Sequence, residues 1–426
     1  MTRELLSAED ARILALESGT VRGHTCKVVV IDGERSADQF RAHIEERLDA
    51  MPHLMRRLDP AGGAPAWDDD PSFSLDRHVI DRGPLDDDGL HRLVCTAMET
   101  PLERDRPLWA MDVASPLTGG RSALVWRIHH AVADGITAMR MARELLLEAI
   151  AEQEPPARQP DSARRAPDRP PRVRASGLRS AARIPRTLRR ELGQRAIRSP
   201  LDRQVGPRRE VAFVDTSLDE LRRIGHAAPE QRATVNDVAL SAVSAGLRVW
   251  LDQLGAPADG LRAKVPVSLH QPGEAAAANR DSFMMVDLPL DHDDPVERLT
   301  AVTRETRERK QRHDAETLDA FFRDVSHLSR SLKRHADHWA MSPRVFTLNV
   351  SNVPGPRGPQ SVLGAPLLEL HSIAEIAHHH ALRVAIVSAA GRVSFGLCAD
   401  PDAIDRLDLI AEGIGQEIEA LGSRSG

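Results

Sequence analysis

The chain has 426 residues, 57 Lys plus Arg against 63 Asp plus Glu, and a formal net charge of −6. That length suggests two domains or three, and the acidic balance argues against a protein built to bind nucleic acid. No apolar run approaches the ~18 residues of a membrane-spanning helix.

Three cysteines, Cys26, Cys95 and Cys398, lie far apart and make neither a disulfide framework nor a CxxC metal pair. A reducing cytosol fits them. Lysine occurs four times, at Lys27, Lys264, Lys310 and Lys333, and tyrosine is absent, which removes one common catalytic acid. Abundant Ala and Arg with scarce Lys fits a GC-rich bacterial genome. The opening segment MTRELLSAEDARILALE is amphipathic and contains acids; it lacks the apolar stretch of a signal peptide, so a cytoplasmic location is expected.

Residues 1–150 alternate helical and strand signals. Ser7 with Asp10 three residues later resembles a capping box for a helix through Leu16. Cys26–Asp32 is a strand run, and Phe40, Ile44 and Leu48 recur every four residues, which predicts a helix. Leu90, Leu93 and Ala97 predict another. Trp109–Ala114 and Ser122–His130 read as strands, and Ile136–Ile150 as a helix. Residues 151–210 differ: sixteen arginines, nine prolines and seven acids leave little apolar surface, so a linker is predicted. Within it, Leu178–Arg198 has the pattern of a basic helix interrupted at Pro185. An exposed linker helix is one reading; attachment to an anionic lipid surface is the other.

Residues 211–426 return to mixed patterning. Strands are predicted at Val211–Leu218, in AKVPVSL and FMMVDLPL, and at Phe346–Val353. Helices are predicted at Asn236–Leu254, across the charged stretch Pro295–Ala340, and at Pro401–Leu421. Leu382–Leu397 reads as a hairpin turning around Gly391. Helices and strands on both sides of one linker predict two α/β lobes of similar size.

The sharpest feature is His129-His130-Ala131-Val132-Ala133-Asp134-Gly135, where a predicted strand gives way to a helix. Strand alternation puts His130 on one face with Ile128, Trp126 and Leu124, and His129 on the other with Arg127 and Val125. Only one imidazole can readily serve a given cleft. A histidine at a strand end suits general-base work, because its pKa lies near neutrality. Asp134 has two readings, N-cap of the next helix or a functional carboxylate. Gly135 would let the backbone turn sharply. His-x-x-x-Asp also offers two metal ligands, but zinc wants three or four and no further one is near in sequence. His378-His379-His380 form a remote second cluster.

HHAVADG resembles the HHxxxDG signature of the wax ester synthase/diacylglycerol acyltransferase family, a pattern shared with other CoA-dependent acyltransferases and peptide-synthetase condensation domains. Further segments narrow the resemblance in the family's order. They are LSAEDARILALE, Pro101–Trp109, Thr234–Leu251, Val265–Leu269 with Asn279-Arg280, and NVSNVPGP (Asn349–Pro356) followed by LGAPL. The resemblance spans nearly the whole chain. It implies two chloramphenicol acetyltransferase-like lobes, 1–150 and 211–426, joined by the 151–210 crossover, with a tunnel between them. Acyl-CoA, the co-substrate, would enter from one side and a hydroxyl acceptor from the other, with no cofactor.

The resemblance also implies roles. His130 would be the general base beside His129, and Asp134 and Gly135 would hold the motif loop. Asn236 and Asp237 match positions important in the family. Asn349, Ser351 and Asn352 are candidate donors to the developing oxyanion; their other reading is a strand end before the Pro-Gly-Pro turn. No GxSxG nucleophile elbow accompanies the histidines.

Two departures bear on the acceptor. The family pattern has a glycine-containing strand start and a later aromatic residue between Ile376 and Gly391, where this chain has the three histidines and Ser388-Ala389-Ala390. Ser199–Asp202 stands where the family tends to have asparagine. The expected function is acyl transfer from acyl-CoA to a diacylglycerol or long-chain alcohol. The alternative is transfer to a polyketide, sugar or peptide, with a carrier protein as donor. If His378–His380 formed a strand start, alternate histidines would face opposite ways, and one or two of them would line a more polar pocket.

Overall fold

The computed structural model describes residues 3–59, 64–150, 199–257, 260–268, 281–312 and 342–425. In chain order the first stretch carries β1 (Glu4–Leu5), α1 (Ala8–Leu16), β2 (His24–Ile31), α2 (Ala37–Leu48), β3 (Arg56–Leu58), β4 (Ala66–Asp69) and β5 (Val79–Leu85). It continues with α3 (Asp87–Glu99), β6 (Trp109–Leu117), β7 (Arg121–His129), α4 (Gly135–Leu145) and β8 (Glu148–Ala149). The later stretch carries β9 (Glu210–Ser217), α5 (Leu218–Ala227), α6 (Val235–Gln253), β10 (Arg262–Ser268), β11 (Asp281–Asp287) and α7 (Pro295–Arg312). Then come β12 (Leu348–Pro354), β13 (Gln360–Val362), β14 (Ala365–Ala374), β15 (Leu382–Ala389), β16 (Arg392–Ala399) and α8 (Leu407–Ser423).

Local chemistry explains most boundaries. The Ser7 hydroxyl accepts from the Asp10 N–H to open α1. Ser36 with Gln39, and Thr234 with Asp237, close reciprocal capping boxes on α2 and α6. The β15–β16 hairpin turns through Ala390 and Gly391, both at positive φ (49° and 79°), the backbone that matches strand twist in a two-residue turn.

Two large sheets organise the chain. The first runs β5-β6-β7-β2-β14-β13-β8 and the second β11-β10-β12-β15-β16-β9. The helical stripe of Phe40, Ile44 and Leu48 packs on one face of the first sheet with Leu124, Trp126 and Ile128. Full burial of side chains of this size stabilises by ~1.5–3 kcal/mol each. Val125 points the other way, into a core with Cys26, Val28 and Val30 beneath α3. In the second lobe α6 and α8 cover the sheet through Val238, Leu247, Ile410 and Ile414.

Four expectations are corrected. The Ile136–Ile150 helix ends at Leu145, because Glu148 and Ala149 leave it to pair with β13 at the sheet edge. The strand β14 was not anticipated. It comes from the C-terminal stretch yet pairs antiparallel with β2, so the first sheet takes strands from both ends of the chain. His378 and His379 form an exposed tight turn closed by His380 N–H to the Ala377 carbonyl at 2.9 Å, not a strand start with alternating faces. His380 is buried, stacked on Phe346 with ring centroids 4.1 Å apart. The C-terminal helix begins at Leu407, six residues after Pro401. Leu178–Arg198 and the part of the charged stretch beyond Arg312 lie outside the described residues.

The sheets meet where β14 crosses β16. A Cβ built on Gly396 would lie 2.0 Å from the Ser372 carbonyl oxygen, so only glycine allows this approach.

Candidate active site

The motif turn is built by backbone hydrogen bonds. The His129 N–H donates to the Leu108 carbonyl and the His130 N–H to Gly23 (2.9 Å), while the Val132 and Ala133 N–H groups donate back to the His129 carbonyl. The two imidazoles face opposite ways. His129, fully buried, accepts from the Ala131 N–H on Nδ1 at 3.0 Å, which leaves the proton on Nε2, 3.2 Å from a Glu17 carboxylate oxygen. Burial pushes the Glu17 carboxyl up, but His129 and Arg104 together hold it below its ordinary value. Gly23, at φ +70°, completes the fit: a Cβ there would sit 2.6 Å from His129 Nε2. His129 is therefore held by protein on every side and shapes the turn.

His130 presents the other face. Its Nε2 is buried and hydrogen-bonded to nothing among the described residues. Burial, then the positive charges of Arg383, His129 and Lys27, press its pKa down to about 3, so the ring is neutral at ordinary pH. A neutral ring with an unengaged nitrogen can accept a proton.

Asp134 is the N-cap of α4, and its Oδ1 accepts from the Thr137 N–H at 2.6 Å. Gly135 does not turn the chain through a left-handed conformation, as the sequence suggested. It is small because Val353 of β12 lies 3.3 Å from where its Cβ would be, so the motif loop packs directly on the second lobe. Asp134→Asn is expected to keep most activity, because an amide oxygen still caps, whereas Asp134→Ala costs ~1 kcal/mol of stability and misplaces the loop. Parallel rate and melting measurements check this; equal losses from both substitutions would show that the charge itself matters.

The candidates from the second lobe divide. Asn349 and Ser351 lie on the face of β12 opposite to Leu348 and Val350, the face that carries Val353 toward the motif loop. Asn352 lies on the helix side, where its amide nitrogen approaches Asn236 Oδ1 to 3.5 Å, the limit of a hydrogen bond. Asp237 is buried within its helix cap: Oδ2 accepts from the Thr234 N–H and hydroxyl, and Oδ1 accepts from the Thr306 hydroxyl at 2.7 Å. Its oxygens are thus taken up in joining α6 to α7.

Sequence reasoning missed Lys27 and Arg383. Lys27 is buried on the His130 face of β2, opposite Trp126, and its ammonium donates to the Ser372 hydroxyl at 2.5 Å. Arg383 stands opposite Asn349 in the β12–β15 register. Each had a visible signal, a cation interrupting an apolar strand run: CKVVVI and LRVAIV.

Comparison with known proteins matches residues 6–193 to the wax ester synthase/diacylglycerol acyltransferase catalytic domain and 277–422 to the C-terminal domain of that family. The chain belongs to the wax ester synthase/diacylglycerol acyltransferase family. A probable diacylglycerol O-acyltransferase of Mycobacterium tuberculosis H37Rv is 30% identical over 455 residues, covering 98% of this chain and 93% of the relative. The O-acyltransferase WSD of Acinetobacter baylyi is 27% identical over 380 residues, covering 83% and 82%. The solved wax ester synthase/diacylglycerol acyltransferase of Marinobacter aquaeolei VT8 superposes with a TM-score of 0.73 at 23% identity, covering 99% of this chain and all of that one. A starter condensation domain of rhizomide synthetase shares the fold alone, with a TM-score of 0.59 at 15% identity. As a wax ester synthase/diacylglycerol acyltransferase family member, this chain is an O-acyltransferase, with the motif histidines at the junction of the two lobes.

Proposed function

We propose that this enzyme transfers the acyl group of an acyl-CoA to the hydroxyl of a lipid acceptor, with His130 as the general base. The observation that carries this reading is the His130 imidazole itself: neutral, with Nε2 buried and unengaged, next to the contact between Gly135 and Val353. The acceptor oxygen attacks the thioester carbonyl carbon as its proton passes to Nε2. The C–S bond of the tetrahedral intermediate then breaks, and the imidazolium returns the proton to the departing thiolate, giving free CoA and an ester. A thiolate leaves readily, so the reaction needs neither a covalent enzyme intermediate nor a cofactor. Asn349 and Ser351, on the facing strand, supply candidate donors to the oxyanion. The names of the relatives support diacylglycerol and long-chain alcohols as neutral acceptors. Incubation with palmitoyl-CoA and hexadecanol, a diacylglycerol or a polar hydroxylated acceptor, followed by mass spectrometry, tests the reading. An ester product with CoA release is expected. No product with any acceptor would overturn acyl transfer.

Among the described residues no helix is long and apolar enough to cross a membrane. The basic charge of Leu178–Arg198 supports a peripheral contact with a membrane or lipid droplet, at roughly 1 kcal/mol per basic residue near an anionic surface. Binding to phosphatidylserine vesicles is expected at low salt and should fall steeply as ionic strength rises. Absence of binding at low salt would remove this contact from the account.

A further inference from the structure

The charges around His130 have one sign. Among the described residues, the groups whose charges act on its ring are Arg383, His129 and Lys27, and no carboxylate is among them. Lys27 is 1% exposed, and its one hydrogen bond among the described residues is to the neutral Ser372 hydroxyl. Arg383 donates through Nη1 to the Glu375 backbone carbonyl at 3.0 Å, while its Nε is buried without a partner. The nearby carboxylate, Glu375, is engaged elsewhere: its Oε1 accepts from both Nε and Nη2 of Arg209 at 2.7 Å. Neither Lys27 nor Arg383 forms an ion pair with a carboxylate among the described residues. Taking two cations out of water without a counter-charge is strongly unfavourable. In this site they also oppose the base, because the imidazolium formed on proton abstraction faces both of them.

One change removes both penalties, a bound anion. We propose that Lys27 and Arg383 form an anion-binding subsite beside His130 that takes the carboxylate of a hydroxy-acid acceptor. Lys27 reaches it from β2 of the first sheet and Arg383 from β15 of the second, so the subsite exists only where the lobes meet. A carboxylate between them satisfies the Arg383 Nε–H and the remaining Lys27 donors with charge-assisted hydrogen bonds. It also places a negative charge near the imidazolium in the transition state, so the acid-bearing acceptor restores the basicity that the bare cations suppress. A neutral alcohol leaves that opposition in place. This inference rests on the acyl-transfer reading and narrows its acceptor.

The test compares two acceptors that differ only in charge, 3-hydroxyhexadecanoate and its methyl ester, each with palmitoyl-CoA, and hexadecanol as a neutral reference. CoA release and product mass are followed. The acid is expected to exceed its methyl ester by about tenfold or more in kcat/KM, the size of a charge-assisted hydrogen bond. Arg383→Gln and Lys27→Met should bring that ratio close to one. In the His130→Ala protein, calorimetry should show the acid binding about tenfold more tightly than the ester, a readout that needs no turnover and no cation variant. A wild-type ratio at or below one would overturn the subsite. So would a ratio unchanged in both variants, which would mean that the cations act on the oxyanion common to all acceptors. Turnover of hexadecanol and the ester but not the acid refutes the subsite and leaves acyl transfer standing. No turnover of any acceptor refutes acyl transfer itself.

Discussion

His130→Ala is expected to lower kcat by about 10²- to 10⁴-fold, the contribution of a positioned general base, with the thermal unfolding curve nearly unchanged. The second half follows from the geometry. Nε2 makes no hydrogen bond among the described residues, so its removal breaks none of the bonds that hold the turn, which run through the backbone of Gly23, Leu108 and His129. His129→Ala should reverse the pattern. It removes the acceptor for the Ala131 N–H and the partner of Glu17, so stability falls first and rate follows through a loosened turn. Rates and melting curves for the two variants, measured side by side, separate the roles. Full activity of His130→Ala would remove it as the base.

The largest structural loss is expected from Arg209→Met. Arg209 is almost fully buried where the chain enters β9. Its guanidinium donates to the Glu375 carboxylate after β14, to the Gly206 and Arg208 carbonyls, and to the Thr20 carbonyl of the first lobe. Its backbone N–H donates to Glu99 at the end of α3 at 2.8 Å. The side chain thus ties together segments from both lobes, and its loss strands the buried Glu375. Breaking a buried pair from one side costs ~3–5 kcal/mol. The loss depends on pH. Burial raises the Glu375 pKa to about 7 even with Arg209 opposing it, above the ordinary carboxyl value in the unfolded chain. A carboxyl with a raised folded pKa favours folding when protonated, and that contribution is lost as pH rises through about 7. Without Arg209 nothing offsets the ionised form, so the deficit of the variant should be small near pH 5 and reach its full size above pH 8. Urea unfolding at both pH values checks the sign; a larger deficit at acid pH would contradict the assignment.

The basis of each role lies at a different level of organisation. Strand alternation places His129 and His130 on opposite faces of β7, and this was legible because the period of two is a local property of extended backbone. The caps at Ser7 and Thr234, the α2 stripe of Phe40, Ile44 and Leu48, and the hairpin at Gly391 were legible for the same reason. Each depends on residues within a few positions of one another. The family motifs were legible as well, since their order along the chain survives without knowledge of contacts.

Which strand pairs with which is not a local property. Ile373 lies beside Cys26 in the first sheet although 346 intervening residues separate them, and no periodicity in ALLELHSIA-like runs of alternating character names that partner. The same holds for the site. Asp134 could be read as a cap or a functional acid until its bond to the Thr137 N–H was seen. Gly135 looked like a turn residue, but its lack of a side chain answers to Val353, more than two hundred residues away. The histidine cluster offered a polar pocket on paper; a tight turn leaves two of its rings in solvent and stacks the third on Phe346. By itself the sequence determined the lobes' local elements, the family and the identity of the candidate base, because each is written in short-range pattern. The tertiary structure alone decided the electrostatic setting of that base. Lys27 and Arg383 come from strands more than 350 residues apart, and charge acts through space, not along the chain.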